Sequence, residues 1–225
     1  MPASAPQVLL RGLRKDEDSI VQHYAAQALD NLASHGGEHL AKFATYEVVS
    51  GLLGLLQSAQ GDALRGTVAS ATSRLARAVP SLAAQVLDKS GLGRLLERLS
   101  EDNARVQQGF LNLLNTALQH PSHRLVKSLD DPEVALPPLT RLLEHSDSTV
   151  RAKVLVALQL LFRLDSSYLL PACERKLLPI VDRLSRDPDP YLAACVGSLV
   201  SSLHALVPSV ASDIVTEFSR LSSAR

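Results

Sequence analysis

Tryptophan is absent from this chain, methionine occurs once, and four phenylalanines and four tyrosines make up the aromatic content. A sandwich core or an aromatic-lined ligand cavity draws on large flat side chains, so both are disfavoured. The two cysteines, Cys173 and Cys195, are too few for a disulfide framework or a cysteine-rich zinc site and read as reduced cytosolic thiols. Neither sign of charge is in excess: 23 Lys and Arg against 23 Asp and Glu give a formal charge of zero. That removes the global basic field of a nucleic-acid binder and leaves only local patches. No apolar run approaches a membrane span, and the opening MPASAP lacks the basic and apolar regions of a signal peptide. The expectation is a soluble cytoplasmic protein without membrane insertion or nucleic-acid binding.

What is abundant is small and aliphatic. Hydrophobic residues make up 46% of the chain, mostly Ala, Leu and Val, which suits close helix-on-helix packing. The stretch Pro80 to Leu118 shows how they are arranged. Leu82, Val86 and Leu87 share one face; Leu92, Leu95, Leu96 and Leu99 share a second; Val106, Phe110, Leu113, Leu114 and Ala117 share a third. Offsets of three and four specify helices. Pro80 fits a first helical turn, Gly91 a positive-φ link between helices, and Asn103 a helix cap. Each helix alone is marginal in water, so the triplet implies copies stacked on both sides.

The copies are there. Val21, Leu64, Val106, Val150 and Leu192 each begin a long helical pattern, at separations of 43, 42, 44 and 42 residues. Four, eight and eleven positions after each anchor the residues are almost all apolar or small, with Thr72 the clear departure. Asp18, Asn103, Asp147 and Asp189 stand three residues before four anchors as cap candidates, and Gly61-Asp62 precedes the other. A period of about 42 with several helices per unit is that of armadillo and HEAT arrays. Short extra helices at Glu38–Phe43, Ser81–Asp88 and Ser122–Leu129 favour the three-helix armadillo unit, whereas repeats four and five look like two-helix HEAT units. The predicted fold is an all-α, right-handed armadillo/HEAT superhelical solenoid of about five repeats. It forms one domain over 1–225, with repeats at 7–43, 44–87, 88–130, 131–172 and 173–225. Val8–Leu13 would make either a truncated cap or the mark of a cut inside a longer solenoid, and Val210, Ile214, Phe218 and Leu221 a final amphipathic lid.

ALDNLA at 28–33 resembles the armadillo consensus. VQHYAAQALDNLA (21–33), LRGTVASATSRLARAVPSLAAQVLDKSGL (64–92), RVQQGFLNLLNTAL (105–118) and VRAKVLVALQLLF (150–162) together resemble a more particular source. They are similar to the carboxy-terminal armadillo region of the fourth unc-51-like kinase, the Fused-related pseudokinase called Runkel in plants. That resemblance implies a scaffold in microtubule, ciliary or cell-division assemblies, with Fused-type kinases, motor proteins or microtubules as partners and a cytoskeletal or ciliary location. The kinase-like domain of that family is missing from this sequence, so a fragment or a short scaffold-only relative is expected.

Catalytic motifs are scarce. Gly91-Leu92-Gly93 lacks the further glycine of a phosphate loop; DFG, HRD and GxSxG do not occur. His35 with His39 and His120 with His123 have helical metal-ligand spacing, but they fall at turns without matching cysteine or acidic ligands. No cofactor or metal is expected, and a metal-dependent hydrolase on stacked helices is the enzyme reading left to test. Arg65 and Arg151, near Asp62 and Asp147, read as ties between repeats or to helix starts.

In an armadillo array, positions six and ten after the anchor face the inner groove. Position six holds Gln27, Ser70, Asn112, Val156 and Ser198; position ten holds Asn31, Arg74, Thr116, Leu160 and Ser202. Peptide-gripping families place Trp and Asn there, and only Asn31 matches, which counts against the alternative of an adaptor for transport or signalling peptides. Candidate protein-binding residues are Asn31, Arg74, Arg77, Asn112, Thr116, Val156 and Leu160. Arg74 and Arg77 would take an acidic group. Val156 and Leu160 are either an apolar partner contact or core residues under a rotated helix.

Overall fold

Helix starts in this protein are set by short polar side chains. In the computed structural model Asp18 accepts from the Ile20 amide (2.7 Å), Asn103 from Arg105 and Val106 (3.0 and 3.2 Å), Asp147 from Thr149 and Val150 (2.8 and 3.3 Å), and Asp189 from Tyr191 and Leu192 (2.9 and 3.3 Å). Each cap satisfies amides with no partner inside the helix. The structure describes residues 4–37, 40–100, 103–127, 129 and 131–223, with the backbone alone at residue 90 and at 207–223.

The described helices are α1 (Ala5–Gly12), α2 (Ser19–His35), α3 (Leu40–Phe43), α4 (Tyr46–Ser58), α5 (Asp62–Ala78), α6 (Pro80–Ser90), α7 (Leu92–Arg98), α8 (Ala104–Gln119), α9 (His123–Lys127), α10 (Pro132–Leu142), α11 (Ser148–Leu164), α12 (Leu169–Glu174), α13 (Leu177–Leu184) and α14 (Pro190–Ser223). A 3-10 turn at Ser166–Tyr168 leads into α12. No strand occurs among the described residues. The fold is therefore all-α, of the armadillo/HEAT repeat kind. Contacts divide the chain into two units, Met1–Asp130 and Asp131–Arg225.

In the first unit the long helix α5 packs between α2 and α8, with α4, α6 and α7 behind them. In the second, α11 packs against α14, and α10, α12 and α13 complete the layer. The long helices are α2, α5, α8, α11 and α14, and each starts near one anchor. Leu64, Val106, Val150 and Leu192 are buried, as are Leu29, Leu114 and Leu158 eight positions after their anchors. Thr72, the one polar departure, is fully buried as well; its hydroxyl donates to the Val68 carbonyl at 2.8 Å, so the helix itself supplies the missing partner.

Two expectations need correction. A short helix precedes each of α4, α7, α10 and α13 in chain order, so repeats four and five follow the three-helix plan and not the two-helix one. The one before α10 is α9, within the expected Ser122–Leu129 helix; the one before α13 escapes periodicity because it is short, α12 burying only Leu169 and Ala172, too few for a recognisable face. The first anchor, Val21, is exposed together with Ile20 and Tyr24, because no helix among the described residues covers that side of α2. The expected lid at Val210, Ile214, Phe218 and Leu221 lies on α14, but its side chains fall outside those described.

Candidate functional site: the long-helix face

Along this face the side chains nine positions after one anchor meet those six and ten positions after the next. The Ser70 hydroxyl donates to Asp30 Oδ1 at 2.8 Å, and Arg74 Nε lies 3.1 Å from the same oxygen. Arg74 also donates to Ser34 Oγ. One repeat further on, Asn112 Nδ2 donates to Ser73 Oγ at 2.7 Å. In the second unit Gln159 Nε2 donates to Ser198 Oγ (3.0 Å) and Ser202 Oγ (2.7 Å). Asp30, Ser73 and Gln159 occupy the same repeat position, so these contacts form a polar rail that locks neighbouring long helices in register.

A second set of ties runs along the helix starts. Asn103 Nδ2 donates to Asp62 Oδ1 at 3.1 Å. A hydrogen bond from the Ser148 side chain, then the Leu192 amide, holds the Asp189 carboxyl below its ordinary 3.8. Arg151 donates to the His145 and Ser146 carbonyls (2.7 and 3.0 Å) and to Asp187 Oδ2 (2.8 Å). Arg65 donates to the Ala59 carbonyl at 2.6 Å. The structural reading of these two arginines is thereby met: each fixes a helix start, and Arg151 also reaches the following repeat.

The rail changes the meaning of the predicted site. Arg74 and Asn112 are rungs between repeats, not free groups. Thr116 is buried, and its hydroxyl donates to the Asn112 carbonyl at 2.8 Å, so it is not presented to a partner as its position suggested. Asn31 is exposed on α2, its carbonyl facing His35 Nδ1 at 2.7 Å. Arg77 is exposed. Val156 and Leu160 are half-buried, while Val154, Leu155, Leu158 and Leu161 beside them are buried.

Arg74, Arg77 and Asn112 do line one cleft, of about 330 Å³, between α5 and α8. A residue not singled out from the sequence joins them. Arg105, one position before its anchor, lies over Gly66, where a Cβ would collide with Arg105 Nη1. The signal was present as a glycine two positions after the α5 anchor, but it has meaning only once the two helices are side by side. Of the histidine pairs, His39 lies outside the described residues, and no group of three or more His, Cys, Asp or Glu suited to a metal occurs among the described ones. No described helix is long and apolar enough to cross a membrane.

Three-helix repeats locked by polar rails define an all-α repeat scaffold of the armadillo type. Comparison with known proteins narrows the resemblance. The chain is 28% identical over 221 residues to the serine/threonine-protein kinase RUNKEL of Arabidopsis thaliana, covering 95% of this chain and 16% of that protein. It is 29% identical over 233 residues to the serine/threonine-protein kinase ULK4 of Mus musculus, covering 99% of this chain and 18% of that protein. The similarity noted at VQHYA and RVQQ thus extends over nearly the whole chain and matches one region of each kinase. The chain spans less than a fifth of the length of either relative. No family model matches it. Among solved structures, an engineered protein superposes with a TM-score of 0.71 at 26% identity, over 88% of this chain and 80% of its own.

Proposed function

We propose that the protein is a non-enzymatic protein-binding scaffold acting in microtubule, ciliary or cell-division assemblies, with Fused-type kinases, motor proteins or microtubules as partners. The observation that carries this reading is the similarity to RUNKEL and ULK4 along nearly all of the chain, combined with a fold that spends its polar side chains on stacking. Kinase chemistry has no support from the sequence, which contains neither DFG nor HRD. The partner-facing residues in the first unit are Asn31 and Arg77, beside the rungs Arg74 and Asn112. In the second unit they are Val156 and Leu160, an apolar patch of its own. A cytoplasmic, cytoskeletal location follows from the same reading.

Co-sedimentation of the purified chain with microtubules, intact and with their acidic tails removed, beside binding assays against purified Fused-type kinases, tests the proposal. Retention by intact microtubules or by such a kinase is the expected result. Absence of binding to all of them overturns it.

A further inference from the structure

Arginine is the usual cation of this protein's ion pairs: Arg11, Arg14, Arg74, Arg151, Arg175, Arg183 and Arg186 each face an Asp or Glu within the chain. Two arginines of the α5–α8 cleft do not. Neither Arg77 nor Arg105 pairs with an acidic side chain among the described residues, and both are exposed. Arg74 sits between them along the cleft and is already neutralised by Asp30. Among the described residues, then, the cleft keeps two positive charges with no acidic partner.

Their placement is linear. The α5 wall runs from Gly66 to Arg77, eleven helical steps, or roughly 16 Å at about 1.5 Å per residue. Arg105 lies at the Gly66 end, held against the α5 backbone because Gly66 has no side chain. Arg77 marks the other end. The floor between them is small: a Cβ on Gly109 would stand 2.9 Å from Leu56 Cδ2 and 3.3 Å from Ala69 Cβ, so α5 and α8 approach as closely as side chains allow. A single carboxylate cannot bridge two cations so far apart. An extended chain advances about 3.3 Å per residue, so roughly five residues span the same distance.

We infer that the α5–α8 cleft binds an extended acidic segment of a partner protein, with two carboxylates about five residues apart resting on Arg105 and Arg77. The inference rests on the protein-binding reading above and names its chemistry in the first unit. Arg74 serves the fold here, so the anion contacts belong to Arg77 and Arg105 and not to the pair Arg74 and Arg77.

The test uses the whole chain and three fluorescein-labelled Gly/Ser peptides of equal length and charge, each with two glutamates, separated by about one, five or nine positions. Fluorescence anisotropy at low salt should show the tightest binding at the spacing of about five. Arg77→Gln and Arg105→Gln should each weaken that peptide by about tenfold or more, the worth of a charge-assisted contact. Both side chains are exposed and have no ion pair among the described residues, so thermal melts of these variants should match the parent. Gly66→Ala provides a variant that keeps every charge: displacing Arg105 should weaken the five-spaced peptide and flatten the dependence on spacing. Equal affinity at all three spacings would show only a diffuse field and overturn the inference, as would no binding at any spacing or no response to both arginine substitutions. Failure of the scaffold reading shows separately, as loss of all binding to microtubules and kinases by the unaltered chain.

Discussion

Arg151 offers the most direct measure of how the repeats are held together. Its side chain is 14% exposed and makes three hydrogen bonds: to the His145 and Ser146 carbonyls and to Asp187 Oδ2. Arg151→Met keeps the apolar stem and removes all three. A hydrogen bond to a charged group contributes about 1.5–3 kcal/mol when its partner is left dry, and less when water replaces it. Ser146 is exposed and Asp187 is 20% exposed, so water recovers part of the loss. The expected cost is about 2–4 kcal/mol in urea unfolding of the whole chain. Asp187→Asn is the matching partner change, because it keeps the Oδ1 acceptor that receives the Asp189 amide at 3.0 Å. The double-mutant cycle should give a coupling of about 1–2 kcal/mol between the two sites. Additive effects within about 0.3 kcal/mol would refute the tie, since independent sites add and coupled ones do not.

Leu114→Ala and Leu158→Ala should each destabilise by about 2–5 kcal/mol in the same assay, because both leucines are buried in the middle of a long helix and their removal leaves a cavity; no loss would mean the repeat register is misplaced. The Asp189 carboxyl, held below 3.8 by Ser148 and the α14 amides, contributes its cap fully above that pH and loses it as the pH falls through the lower folded value. Circular dichroism of the parent and of Asp189→Ala should therefore differ in thermal midpoint at neutral pH and converge in strong acid. Leu160→Asp should leave the chain folded and weaken partner binding; unfolding would mean that Leu160 is core after all.

The long helices were readable because burial on one face repeats with the helix period. Leu64, Val106, Val150 and Leu192 stand about 42 residues apart, and all four are buried. The caps were readable for a related reason, since Asp or Asn before an apolar run is a local signal with a local cause. The rail was not. Asp30, Ser73 and Gln159 share a position and a polarity but no identity, and a polar residue at one repeat position looks like an ordinary solvated face until its neighbour is in place. Arg105 was hidden in the same way, as one more charged residue at a helix start. Conversely, Thr116 and Arg74 looked available because position ten points outward in a single helix; stacking buries the first and engages the second.

The rail bears on the two readings of Val156 and Leu160. If α11 were rotated relative to the other long helices, its position-nine residue would miss the following repeat. Gln159 instead reaches both Ser198 and Ser202, as Asp30 reaches both Ser70 and Arg74. Within its own unit α11 therefore presents position nine to the next long helix as α2 does in the first unit, and its sixth and tenth positions carry Val156 and Leu160 where α5 and α8 carry hydroxyl, amide and guanidinium groups. Two aliphatic side chains there cannot act as rungs. As the proposed partner contact of the second unit, an apolar pair of this kind suits another protein better than water.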